Sequence, residues 1–151
     1  MPTIFIKTPS GALSAEQRER LLVAVNQAAT QCSGLGSDPR QRALCGVIAE
    51  EVPASQWRCG GSDDFSRLVP CFVQVLVPAG VLDDQRRANY AAAIHQAMTD
   101  AVGLPHTRML ATSIIVSDVE DGAWAVNGQL WKLPTFIAAA GYAHLQQPVC
   151  V

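Results

Sequence analysis

The sequence predicts an α+β domain in which two tandem β-α-β units form a four-stranded mixed sheet with both helices on one face. Three observations predict it. The chain is written twice, with residues 2–61 and 71–128 following one plan. Each copy sets out a β-branched run, a glycine turn and a capped helical pattern in the same order. The length, 151 residues, suits a single domain over residues 1–151 with a sizeable core.

The first copy opens on Thr3–Lys7 (TIFIK) and the second on Phe72–Val77 (FVQVLV), runs of strand length and strand composition. Each run ends in a proline and a glycine, Pro9-Ser-Gly11 and Pro78-Ala-Gly80. Ser14 and Asp83 follow as helix N-caps, since a short side-chain oxygen can accept from the free amides of a first turn. Gln17 stands where it completes a capping box with Ser14. Leu21, Leu22, Val25 and Ala28 then recur at helical spacing, as do Tyr90, Ile94, Ala97, Met98 and Ala101. Gly34 and Gly103 stop the two helices.

The match continues beyond the helices. Pro39-x-x-Arg42-x-Leu44 is answered by Pro105-x-x-Arg108-x-Leu110. Second strands are expected near Cys45–Glu51 and Thr112–Asp118, followed by Trp57-Arg-Cys-Gly-Gly61 and Trp124-Ala-Val-Asn-Gly128. Strands joined through one helix pair in parallel with a right-handed crossover. With both helices on one face, the other face is bare, yet the strands read as apolar on both sides. Another copy of the chain is the expected cover, giving a closed homo-oligomer. Residues 129–151 form a tail. In it Leu133–Leu145 (LPTFIAAAGYAHL) predicts a short helix capped by Gly141, packing on its own chain or on a neighbour.

Composition excludes several classes. Net charge is -2 and the hydrophobic fraction 49%, so neither a nucleic-acid footprint nor a cationic membrane face is expected. No apolar run approaches the roughly 20 residues of a membrane span. No signal peptide is read at the N-terminus, and a cytoplasmic protein is expected. The cysteines are Cys32, Cys45, Cys59, Cys71 and Cys150, an odd number without a C-x-x-C spacing. They read as small buried hydrophobes, not as a disulfide framework or zinc site. His95, His106 and His144 are scattered, so no metal is expected.

Met1-Pro2 leading straight into a strand, the glycine turn, the S/D-x-x-Q-R helix start and the aromatic-x-x-Gly-Gly segment resemble the tautomerase superfamily. The resemblance covers residues 2–128. It is closest to the fused two-repeat members, which are similar to 4-oxalocrotonate tautomerase and macrophage migration inhibitory factor. It implies a homotrimer, no cofactor, and an N-terminal proline exposed by removal of Met1. That proline would act as a general base on a small carbonyl or enol substrate. Trp57 falls where the short members carry an active-site phenylalanine.

The chemistry of such a base is simple. An ordinary α-amino group titrates at about 7.7–8.0. Burial or a nearby cation lowers that value, and a neutral amine near pH 7 can take an acidic C–H proton. In the second copy the position equivalent to Pro2 is Cys71, so one catalytic proline per chain is expected. Otherwise Pro2 merely starts an edge strand.

The grip on the substrate departs from the family pattern. Its turn arginine is replaced by Ala12 and Val81, and its second-strand arginine by Gly46 and Thr112. The dehalogenase arginines fall on Pro78 and Val81, its helix histidine on Ala29, and its water-activating glutamate near Val126 or Asn127. Hydrolytic dehalogenation is therefore disfavoured. Arg42 and Arg108 stand at equivalent places before the second strands, either as substrate-binding cations or as solvated loop residues. Lys7 lies near the pocket or at the strand's exit to solvent. Trp57 and Trp124 are aromatic walls or core residues, with Trp124 favoured for the pocket. Ser113 and Asn127 are candidate donors to a carbonyl or enol oxygen. The expected activity is keto–enol tautomerisation. The alternatives are decarboxylation or hydration of a 3-oxo or unsaturated acid, and a non-catalytic binding protein of the same fold.

Overall fold

The computed structural model describes residues 1–146. In chain order the elements are β1 (Thr3–Pro9), α1 (Ala15–Cys32), α2 (Pro39–Arg42), β2 (Gly46–Val52), β3 (Leu68–Pro78), α3 (Asp84–Val102), β4 (Met109–Val119), β5 (Trp124–Val126), β6 (Gln129–Trp131) and α4 (Leu133–Ala140). The main sheet has the order β2-β1-β3-β4. β1 runs parallel to β2, and β3 parallel to β4, while β1 and β3 are antiparallel neighbours. The two predicted β-α-β units are thus joined edge to edge.

The period of two along each strand sorts the side chains. Ile4, Ile6, Val73 and Val75 face the helices, are almost fully buried, and pack in one cluster with Leu21, Val25, Tyr90, Ile94 and Met98. Their alternates face outward on the bare side of the sheet. Ile48, Phe72 and Ile115 keep 55%, 52% and 60% of their surface exposed there.

The helix starts follow the expected chemistry. Ser14 Oγ accepts from the Gln17 amide at 3.1 Å, and the Gln17 side chain accepts from the Ser14 amide at 2.9 Å. Asp83 accepts from the Arg86 amide at 2.7 Å. The buried stripe of α1 is Leu21, Val25 and Ala29, with Leu22 and Ala28 half-buried on its flanks. In α3 Val102 completes the stripe, and Ala97 and Ala101 are its half-buried edge.

Three features differ from the reading of the sequence. Pro39–Arg42 is a short helix capped by Asp38, whereas its counterpart after Pro105 is only a turn. β3 and β4 begin at Leu68 and Met109, earlier than expected, because they pair along their full length. The hairpin of the second copy is regular, with Asn127 and Gly128 both at positive φ (51° and 80°). The first copy has only a 3₁₀ turn at Ala54–Gln56 and a single bridge between Cys59 and Ser62.

Helix α4 packs on its own chain. Phe136, Ala140 and Tyr142 are buried, the Gly36 amide donates to the Ala140 carbonyl at 2.9 Å, and His144 contacts the Val81 carbonyl at 2.7 Å. It therefore lies across the end of the sheet where β1 and β2 begin and β3 and β4 finish. Cys45 and Cys71 are buried, Cys32 and Cys59 are half-buried, and Cys150 lies outside the described residues.

Candidate active site

Pro2 is buried just before the paired part of β1, and its carbonyl accepts from the Gly46 amide at 3.1 Å. A residue without an N–H loses nothing at this position. Thr3 is level with Gly46 on one side and Leu76 on the other, so the chain start lies between the beginning of β2 and the end of β3. Met1 packs against the core, and burial lowers its amine from 8.0 to about 5, with the Cys45 sulfur pulling weakly the other way. The cause is lost hydration of the ammonium form, which favours the neutral amine. Cys71, the counterpart of Pro2, is fully buried, and burial pushes its thiol up to about 12. A thiol so held is inert at neutral pH.

Arg42 shares this end of the sheet. Its carbonyl accepts from the Cys45 amide at 3.0 Å, and the next amide, that of Gly46, is the one bonded to Pro2. The Arg42 side chain is exposed beside Asn26, Gln27, Thr30 and Gln31. The Trp124–Asn127 segment follows the end of β4 and so belongs to the same end. Trp124 is half-buried edge-on against Phe136, with ring centres 5.8 Å apart, which gives it a packing role. Asn127 is exposed at the hairpin tip.

The other predicted residues lie elsewhere. Lys7 is level with Phe72, and Phe72 with Ser113, so Lys7 and Ser113 meet on the bare face. With Phe5, Gln74 and Ile115 they line a hollow of about 420 Å³. Lys7 pairs there with Glu50 at 3.5 Å, both exposed. Arg108 is at the opposite end of the sheet, where its Nε and Nη2 donate to the Phe65 carbonyl at 3.2 and 3.1 Å. The run of β3 from Leu76 back to Leu68 separates it from Pro2 by roughly 26 Å. Trp57 is at that far end too, buried against Phe72 at 4.9 Å and Phe65 at 6.5 Å.

One neighbour of the amine was legible only as packing. Cys45 sits directly before β2, and the parallel register brings it beside the chain start. Asn26 holds it from α1, its Nδ2 donating to the Cys45 carbonyl at 2.9 Å, and Thr30 donates to the Asn26 carbonyl at 2.7 Å. Among the described residues no group of three or more His, Cys, Asp or Glu is placed to hold a metal ion, and no helix is long and apolar enough to cross a membrane.

Residues 72–133 match the family model described as tautomerase enzyme. No curated protein matches the chain in sequence. Solved structures share its fold. A fused 4-OT described as a symmetric trimer is 18% identical with a TM-score of 0.68, the match covering 93% of this chain and 98% of that one. Macrophage migration inhibitory factor of Toxoplasma gondii is 21% identical with a TM-score of 0.60, covering 85% and 99%. N1, a member of the cis-3-chloroacrylic acid dehalogenase family, is 16% identical with a TM-score of 0.68, covering 96% and 93%. Identities this low establish the fold and nothing finer.

Proposed function

Because the chain has the tautomerase-superfamily fold and its second repeat matches that family's model, we propose that it is a cofactor-independent tautomerase. Met1 is removed, and the amine of Pro2 takes a proton from the carbon beside a carbonyl. The electron pair left behind delocalises onto the carbonyl oxygen as an enolate. The same amine returns the proton to that oxygen, giving the enol, or to another carbon of the conjugated system; ketonisation is the reverse. The substrate is a small carbonyl acid. The observation that carries this reading is the burial of Pro2 at the start of β1, beside a Met1 amine that the same surroundings lower to about 5; an amine desolvated there favours its neutral form. Removal of Met1 makes the nitrogen of Pro2 the chain's amine, one residue further toward β1.

A carboxylate on the substrate needs a cation. Arg42 is at the end of the sheet that holds Pro2, joined to it through two consecutive strand-start amides. Lys7, Ser113 and Arg108 are remote from Pro2 within one chain. A homotrimer in the cytoplasm is part of the proposal. The exposed apolar face supports an assembly, and fused 4-OT relatives are described as trimers.

The test combines intact mass with an assay of phenylenolpyruvate ketonisation. The expected result is a chain lacking Met1, active at pH 7, whose Pro2→Ala variant stays folded and loses at least a hundredfold in kcat. Full activity in Pro2→Ala would falsify the mechanism. A chain that retains Met1 and is inactive would leave a binding protein of this fold as the reading.

A further inference from the structure

At the far end of the sheet from Pro2, His95, Thr99, Gly103, Leu104, His106, Arg108, Met109 and Leu110 enclose a hollow of about 470 Å³. That volume is in the range of small-molecule sites. Its polar side chains are all donors or neutral groups, and no carboxylate is among these eight. The apolar side is made by Leu104, Met109 and Leu110, and Met109 keeps 60% of its surface exposed.

The donors are held in place. Arg108 gives Nε and Nη2 to one carbonyl, that of Phe65, which fixes the plane of the guanidinium. Among the described residues its Nη1 makes no hydrogen bond, and Arg108 has no acidic partner. His95 is fixed by its Nδ1 contact to Thr112 Oγ1 at 2.7 Å, which leaves Nε2 for a ligand. A guanidinium oriented in advance is a strong and geometrically selective partner for a carboxylate.

The duplication explains why a hollow forms here. His95 and Thr99 lie 69 residues after Asn26 and Thr30, and Arg108 answers Arg42. The first-copy residues line only a smaller hollow of about 100 Å³. There Asn26 reaches over to the Cys45 carbonyl. In the second copy the helix has a histidine at that place, and the connection after Pro105 is an open turn instead of a helix. The space beside Arg108 stays open as a result.

We infer that the hollow of His95, His106 and Arg108 is a second ligand site, complete within one chain and separate from Pro2, for a small organic monocarboxylate with an apolar body. Arg108 takes the carboxylate and Leu104, Met109 and Leu110 take the body. The apolar wall favours such an acid over inorganic phosphate, which has nothing to bury there.

The experiment is a titration of the full-length protein with benzoate, followed through the ring nitrogen signals of the histidines. Parallel titrations use inorganic phosphate and three variants. The expected result is saturable movement of the His95 and His106 signals. Arg108→Gln should weaken binding at least tenfold, and Pro2→Ala should leave the histidine shifts unchanged. Because Arg108 also ties down Phe65, His106→Leu is the second variant. It should weaken benzoate binding with an unaltered circular dichroism spectrum. No saturable movement of these signals would overturn the inference. So would undiminished binding in both site variants, phosphate binding as tight as benzoate, or loss of the shifts in Pro2→Ala.

Discussion

In the chain that carries Met1, the amine buried just ahead of β1 couples stability to pH. Unfolded, it titrates near 8.0; folded, burial brings it to about 5. Between those values the unfolded chain holds a proton that the folded chain has released. Stability therefore rises as pH rises from about 5 to about 8, and the contribution is lost again as pH falls through the folded value. The informative comparison is between the free and the N-acetylated chain, because acetylation removes this one ionisation. The difference between their melting temperatures should change with pH only across this interval; parallel curves would show that the amine is not buried in solution. Desolvation of this kind is what an N-terminal amine needs to work as a base at neutral pH, and the proposed activity asks it of Pro2 once Met1 is gone. Cys71 illustrates the converse. At the equivalent place in the second copy there is no chain end, and burial makes its thiol less acidic instead of making a base available.

At the level of elements, local chemistry and repeat pattern agree, which is why most of the fold was legible. The Ser14 and Gln17 box forms as its spacing implies, and Ser14→Ala should cost about 1 kcal/mol in denaturant unfolding with no change in secondary structure. An unchanged midpoint would mean the α1 start is held by packing alone. Gly141, at φ 65°, ends α4 as its sequence implies. Which surface α4 covers was not legible, because Phe136 finds its partners Trp124 and Trp131 only once the chain has closed. Phe136→Ala should cost about 3–5 kcal/mol, a loss measurable by urea unfolding. A loss under 1 kcal/mol would mean α4 is not part of the core. Strand starts were less legible than helix starts. Leu68–Cys71 has no boundary signal of its own, and its extent is set by pairing with β4. The candidate site was the least legible part. Arg42 and Arg108 look alike in the sequence, yet antiparallel β1 and β3 send the two copies in opposite directions and put the arginines at opposite ends.

For the whole molecule, the decisive asymmetry is between the two faces of one sheet. The helix-facing side buries Ile4, Ile6, Val73 and Val75, while the other side presents Ile48, Phe72 and Ile115 at half or more of their full exposure. Ile48 and Ile115 lie on the two edge strands in one row, with Ile48 level with Phe5, Phe5 with Gln74, and Gln74 with Ile115; Phe72 is two residues from Gln74 along β3. With Phe5 they make an apolar band broken by Gln74, and its charges sit toward one end in the Lys7–Glu50 pair. Such a band favours burial against further copies of the chain. A carboxylate at its β4 end would have to be desolvated on assembly, with no partner on its own strand. Ile115→Glu should therefore leave the chain folded, since Ile115 faces away from the core. It should also convert the proposed trimer to a monomer in light scattering at micromolar concentration. If Pro2 draws part of its pocket from a neighbouring copy, the same variant should lower tautomerase activity with Pro2 itself untouched. An Ile115→Glu chain that keeps the wild-type mass in solution would show that this face is not the one the assembly buries. A fully active monomer would show that each chain carries a whole site.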